Sequence, residues 1–409
     1  MSKERTFKKS LFVLAVMAVM VFAMTITASA ASAVTGLKQT DAYTTSVEVK
    51  WTANLNEYYR VMVSQDRNNN YTKAGTTSNG RYYVSGLQAG RTYYVKVQTI
   101  NYNGSAVYAE TAPLQVVTKP ESVEYSSIKQ TAGTRSSITM TWKKVAGATG
   151  YIVTKDGGKS KSVTGTKATI SASAGKRYSA KIEAYRKSES GYIAKSSSVS
   201  KYSLYASPAS PISFADAKQG NLTWYPTKSP NVTLRWKTNT NYYYPDGYQL
   251  QIYTVDGKKK LASITGITST SRTITSSKVC KAIKNKGFKV RIRAYKKNDK
   301  AVCYGSWSGF KTIIPEAAVK LSIHTSSSAK VTWPKIANAK KYVIYISRDT
   351  GSKDSGHWTK KTLSAGTTSY VVTGLKKFQD FAVYVIPVVK VNGKQYTAAK
   401  TWYSYGWIR

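Results

Sequence analysis

Apolar and polar residues alternate along much of this chain, and the alternation restarts four times. Val47-Glu-Val-Lys-Trp51, Ile138-Thr-Met-Thr-Trp142, Val232-Thr-Leu-Arg-Trp236 and Ala329-Lys-Val-Thr-Trp333 each close on a tryptophan. A period of two predicts a strand with one buried face. The tryptophans lie 91, 94 and 97 residues apart. That spacing predicts four copies of one small domain rather than one large enzyme.

A tyrosine-led strand follows each tryptophan: Tyr59 to Val63, Tyr151 to Val153, Tyr248 to Ile252 and Tyr342 to Ile346. Turn residues come next, with Asp156-Gly157 and Asp256-Gly257 as the clearest hairpin signals. A third alternating run begins at Tyr93, Tyr178, Phe288 and Phe381, and ends in turns such as Asn103-Gly104 and Asn392-Gly393. Proline marks the boundaries between repeats at Pro120, Pro208, Pro211 and Pro315. The domains expected are 34–118, 119–206, 207–314 and 315–409, after a leader at 1–33. Seven or so short strands in each, patterned without needed disulfides, describe an all-β chain of four β-sandwiches.

The tryptophan of the second strand, the tyrosine of the third and a Leu-x-x-Gly-x-x-Tyr motif (Leu87, Gly90, Tyr93) resemble fibronectin type III repeats. The resemblance runs from about Val34 to the end of the chain. It implies that Trp51, Trp142, Trp236 and Trp333 fill the cores. It also implies that Tyr93 and Tyr178 stand at the tyrosine corner, with the hydroxyl bonded back to the preceding loop. Phe288 and Phe381 cannot make that bond. Repeat 3 carries an extra stretch, Ser276 to Lys286, that is expected to be helical. Its run Lys289, Arg291 and Arg293, facing Ser306-Trp307-Ser308, is similar to the Trp-Ser pattern of cytokine-receptor modules, where arginines stack on tryptophan. Cation–π attraction of that kind stiffens a sheet by about 0.5–1 kcal/mol per exposed pair.

The amino terminus carries Lys3, Arg5, Lys8 and Lys9, then an apolar stretch from Leu11 to Met24, then small residues through Ala33. This order reads as a bacterial-style secretory signal cleaved after Ala30 or Ala33, with an uncleaved anchor as the alternative. The apolar stretch is short for a membrane span, which needs about 20 residues. No transmembrane segment is expected after cleavage. The chain is expected to be secreted and extracellular, free or held at the cell wall.

Charge is distributed unevenly. The whole chain is +43, and the repeats carry +3, +11, +15 and +11 in order. Repeat 1 is nearly neutral and holds ten of the 32 tyrosines. The other three repeats make a field that gathers anions. Lys258, Lys259 and Lys260, and Lys296 with Lys297, are the candidate polyanion contacts, in or beside hairpin turns. Tyr242, Tyr243, Tyr244 and Trp407 are candidate aromatic contacts, able to stack on sugar or anchor a partner.

Signs of catalysis are missing from the sequence. His324 and His357, both in repeat 4, are expected to be surface histidines rather than metal ligands. Gly157-Gly-Lys-Ser160 lacks the strand–glycine–helix context of a phosphate loop. Asp66-Arg-Asn-Asn-Asn70 opens like a calcium loop, but Tyr71 and Thr77 stand where glycine and glutamate belong. No cofactor or metal is expected. Cys280 and Cys303 are the only cysteines; an exported chain could pair them, but Cys303, placed opposite a residue near Arg293, should lie too far from Cys280.

The sequence therefore reads as a non-enzymatic binding or spacer protein, adhesive or structural, docking through its basic repeats. Its partner would be an anionic wall polymer or polysaccharide, or another surface protein; no specific reading of nucleic acid is expected. The alternative is a carbohydrate-binding or accessory module using exposed aromatic loops. Modules of about 25–35 Å, from strands of roughly eight residues, would make a semi-rigid rod of about 100–140 Å.

Overall fold

The computed structural model describes residues 33–209, 214, 222–224, 232–237, 244–348, 357–378, 380–398 and 404–408. Repeat 1 consists of β1 (Thr35–Ala42), β2 (Val47–Thr52), β3 (Tyr58–Ser64), β4 (Thr72–Thr77), β5 (Arg81–Val84), β6 (Thr92–Ile100), β7 (Val107–Glu110) and β8 (Leu114–Val117). They form two antiparallel sheets, β1-β2-β5 and β4-β3-β6-β7, with β8 also on β6. Alternation sends Val47, Val49 and Trp51 of one sheet and Tyr59, Val61, Val95 and Val97 of the other into one core.

The order returns three times. Repeat 2 has β9 (Lys129–Gly133), β10 (Ser137–Thr141), β11 (Gly150–Lys155), β12 (Ser160–Val163), β13 (Lys167–Ser171), β14 (Arg177–Lys187), β15 (Ile193–Lys195) and β16 (Val199–Tyr205). Repeat 3 has β17 (Leu222–Trp224), β18 (Val232–Arg235), β19 (Gly247–Thr254), β20 (Lys260–Ile267), β21 (Ser271–Ile274), β22 (Phe288–Asn298), β23 (Ala301–Tyr304) and β24 (Lys311–Ile313). Repeat 4 has β25 (Lys320–Thr325), β26 (Ser328–Thr332), β27 (Ala339–Ser347), β28 (Thr359–Ser364), β29 (Ser369–Val372), β30 (Asp380–Val391), β31 (Lys394–Thr397) and β32 (Ser404–Trp407). Each set pairs as repeat 1 does, strand for strand. The last strand of each repeat is split in two, which makes eight described strands where seven or so were expected.

Repeat 3 departs where the sequence suggested. Between β21 and β22 the chain forms a helix, α1 (Ser277–Ile283). Val279, Cys280 and Ile283 enter the core beside Leu261, Ala262 and Ile264 of β20.

Two compact units divide the chain. One runs to Ile128 and adds Trp142–Thr166 and Ala180–Ser200; the other joins Lys129–Thr141 and Lys167–Ser179 to everything from Lys201 onward. The sheet β13-β10-β9 thus falls in the second unit, and most of the β11 to β15 segment in the first.

Within the first unit, Arg186 ties repeat 2 to repeat 1. Its guanidinium donates to Thr92 Oγ1 at 2.7 Å and to the Gly147 carbonyl at 2.6 Å. Two backbones meet there, and a Cβ on Gly147 would stand 1.9 Å from the Gly90 oxygen. Only glycine, also at φ +73° at Gly147, permits that approach.

Within the second unit, Gln130 of β9 is a hub. Its Nε2 donates to the Tyr205 carbonyl at 2.7 Å, and its Oε1 accepts from Asn298 Nδ2 at 2.8 Å. The buried amide is satisfied on both sides, as a buried polar group must be. Asp299 accepts the Gln130 backbone N–H at 2.9 Å and pairs with Lys201 at 3.2 Å. Repeats 3 and 4 meet through Asn392 Nδ2 on the Asp256 carbonyl and the Ala337 N–H on the Asn285 carbonyl, both at 2.8 Å.

Candidate functional site

Each repeat packs one buried tryptophan against one buried tyrosine. Trp51, Trp142, Trp236 and Trp333 are buried. Their rings meet Tyr59, Tyr151, Tyr248 and Tyr342 at 5.5, 5.2, 5.4 and 5.7 Å between centroids. The first three pairs are edge-to-face, an arrangement the ring quadrupoles favour. None of the four indole N–H groups has a hydrogen-bond acceptor among the described residues.

Tyr93 and Tyr178 hold their preceding loops by the hydroxyl, which accepts the N–H of Gln88 at 2.9 Å and of Ser173 at 2.7 Å. Phe288 and Phe381 occupy the same places in repeats 3 and 4 as buried core residues. The sequence does not anticipate a second latch. The hydroxyls of Tyr59, Tyr151 and Tyr342 accept backbone N–H groups of Asn54, Val145 and Ile336 at 2.9, 2.8 and 2.9 Å. The only signal is the tyrosine that leads each third strand, where phenylalanine would have packed as well but bonded nothing.

The candidate lysines fall into two groups. Lys258 and Lys259 lie in the turn after β19, and Lys260 opens β20; all three are exposed. Asp256 stands beside them, its carboxyl held below the usual range by hydrogen bonds from Thr254 and the Lys258 backbone. Lys296 and Lys297 lie inside β22 rather than in its turn. Lys296 pairs with Asp246 at 2.7 Å and sits 5.1 Å from the Tyr205 ring centre, so its charge is committed within the fold. Lys297 is exposed, 5.7 Å from the Tyr295 ring.

Of the aromatic candidates, Tyr244 is 72% exposed and Trp407 is 46% exposed, the latter tilted against Phe378. Tyr242 and Tyr243 lie outside the described residues, as does most of the 1–33 leader.

The outer face of repeat 3 carries a ladder of charge and rings. The Arg291 guanidinium stands 4.7 Å from the Trp307 ring centre, and that of Arg293 stands 4.4 Å from Trp307 and 3.9 Å from Tyr304. Gln251 and Gln249 accept from their Nε atoms at 2.9 and 2.8 Å. Burial pulls the Arg293 guanidinium below its ordinary value. In repeat 4, rings stand where repeat 3 has arginines: Tyr345 and Tyr384 stack at 4.5 Å, with Trp358 edge-on to Tyr384. Burial there pushes the Tyr384 hydroxyl up to about 12.

The cysteines are both free and buried. Cys280 sits in α1, with its thiol on the Ile274 carbonyl. Cys303 pairs in register with Lys296, not with a residue near Arg293, because β22 runs past Tyr295 to Asn298 before the chain turns. Its thiol lies against Gln130 and the Tyr205 carbonyl, and burial pushes it up to about 11. His324 and His357 are exposed, and no cluster of three or more His, Cys, Asp or Glu side chains among the described residues could hold a metal ion.

Residues 32–117 match the family model described as Fibronectin type III domain. Similar solved structures include chicken CNTN1 FN1-FN3 domains, at 16% identity over 69% of this chain and 98% of that one, with a TM-score of 0.30. A two-domain fibronectin type III segment from chicken tenascin is 17% identical over 42% of this chain and 98% of its own, with a TM-score of 0.27. The FN5 domain of Drosophila Lar is 22% identical over 22% of this chain and 96% of its own, with a TM-score of 0.19. No curated protein matches the chain. The chain is an all-β protein of paired sheets like tandem fibronectin type III sandwiches. Such domains are typically extracellular binding or spacer modules, and generally non-catalytic. No helix among the described residues is long and apolar enough to cross a membrane.

Proposed function

We propose that this is a secreted, non-enzymatic binding protein that docks on anionic cell-envelope polymers through repeats 2 to 4 and presents the nearly neutral repeat 1. The observation that carries this reading is the charge step from +3 in repeat 1 to +11, +15 and +11 in the rest. Exposed lysines support it in both basic halves of the second unit: Lys258, Lys259 and Lys260 in repeat 3, and Lys340, Lys341, Lys360 and Lys361 in repeat 4. Lysine contacts to phosphate or carboxylate are blind to sequence and labile to salt.

The test is retention of the mature chain on purified cell walls, with and without teichoic acid, across a salt series. Retention should be steep in salt, lost by about 0.5 M where screening lengths fall well below 10 Å, and absent from walls stripped of the polyanion. Lys258→Gln, Lys259→Gln and Lys260→Gln together should shift release to lower salt. Retention unmoved by salt would overturn this reading and favour contact through the exposed rings of Tyr244 and Trp407.

A further inference from the structure

Repeat 1 contains a cleft of about 720 Å³ at the open edge between its sheets, where β4 and the loop after β5 face each other. Its origin is in the sequence. β4 reads Thr-Lys-Ala-Gly-Thr-Thr and buries none of its residues fully, so it leaves the sandwich unclosed along that edge. At one point the gap is bridged: the Tyr82 hydroxyl donates to the Ala74 carbonyl at 2.9 Å, passing where a Cβ on Gly75 would sit. Beyond that bridge the edge stays open.

Core side chains form the floor. Val63, Ala74 and Leu87 line the cleft and belong to the repeat 1 core or pack against it. Polar side chains form the rim. Gln65, Asp66, Lys73, Ser85 and Gln88 are exposed there. The wall that carries Gln65 and Asp66 is the long turn between β3 and β4, fixed internally. Ser64 Oγ donates to the Asn69 carbonyl at 2.6 Å and accepts the Asp66 N–H at 3.0 Å, and Asp66 Oδ1 accepts the Asn68 N–H at 2.9 Å. The rim is therefore placed before any ligand arrives, which lowers the ordering cost of binding.

We propose that this cleft binds a short neutral pyranose saccharide. A pyranose has an apolar C–H face, which suits the aliphatic floor, and an edge of hydroxyls that donate and accept together. Amides and a carboxylate match such hydroxyls in pairs. The volume lies within the roughly 300–1,000 Å³ of small-ligand sites. One acid and one lysine on the rim leave no net charge to select an ion. This site is distinct from the lysines of repeats 2 to 4, and it needs no polyanion.

The experiment is saturation-transfer NMR of the mature chain with cellotriose and with tri-N-acetylchitotriose, each at about 10 mM, above the millimolar dissociation constants of weak sites. It is run at about 0.5 M salt, where charge-driven retention is screened out. At least one sugar should receive saturation from the wild-type chain. Ser85→Trp, which fills the mouth, and the pair Gln65→Ala with Gln88→Ala should each weaken binding at least about tenfold. All three positions are exposed, and an unchanged melting temperature confirms the fold. Lys258→Gln, Lys259→Gln and Lys260→Gln together should leave the sugar signal intact. Failure of both sugars to bind, or binding that survives both cleft variants, would overturn the proposal without touching the polyanion reading.

Discussion

Repeats 1 and 3 solve the same edge in opposite ways. In both, the two sheets part between the fourth and fifth strands. Repeat 3 fills the gap with α1, whose Val279, Cys280 and Ile283 pack on an apolar β20. Repeat 1 has a polar β4 and a plain loop, and the gap remains as a cleft. One fold thus supports a sealed core where charge is greatest and an open one where charge is least. The difference lies in a few positions of one edge strand and the loop facing it, not in the strand order.

The sharpest way to break the comparison is to empty the plug. Ile283→Ala removes a fully buried side chain and should cost about 2–5 kcal/mol. Val63→Ala on the half-buried floor of repeat 1 should cost only about 1 kcal/mol. Urea denaturation of each variant measures the contrast, and equal costs would mean that the helix is not sealing a core.

Next comes the bridge in repeat 1. Gly75→Ala would put a Cβ 1.9 Å from the Tyr82 hydroxyl. Crowding of this kind should cost about 1–3 kcal/mol. The added Cβ would also stand 2.6 Å from the ring carbon Cζ, so most of that loss should vanish only when the whole ring is removed by Tyr82→Ala, and a double-mutant cycle reads the coupling. On the outer face of repeat 3, Arg291→Ala should cost about 0.5–1 kcal/mol for each aromatic ring the guanidinium no longer covers, seen as a lower melting temperature. At neutral pH the smallest effect is at Cys303. Its folded thiol is raised to about 11 from 9.0. An unfolded thiol would ionise first as pH rises, so this contribution to stability is intact below about 9 and falls between about 9 and 11. Cys303→Ala should flatten that part of the pH profile in chemical denaturation.

The strands are legible because each writes its own pattern. Alternation and a closing tryptophan locate β2, β10, β18 and β26 from their own residues, and tyrosine at the head of β6 marks a corner that its hydroxyl makes. The helix announces itself as surplus length between two strands. Register is harder. Alternation does not show that β22 continues to Asn298, and so it sets Cys303 opposite a residue near Arg293 instead of Lys296. Long-range polar contacts leave no trace at all. Gln130 bonds residues 75 and 168 positions away, and nothing in its own neighbourhood signals either partner. The cleft is half visible: a polar β4 can be read from Thr72 to Thr77, but that it faces a gap depends on what β5 and its loop bring opposite.

The edge strands have another consequence. β4, β12, β20 and β28 each end a sheet, so one row of their backbone groups faces away from any neighbouring strand of that sheet. Such rows invite other chains to add on and grow into aggregates. Each of these strands carries lysine: Lys73, Lys161, Lys260, and Lys360 with Lys361. Like charges on approaching copies keep the rows apart. Whatever neutralises those lysines removes the repulsion, so these edges are where crowded copies would begin to stack.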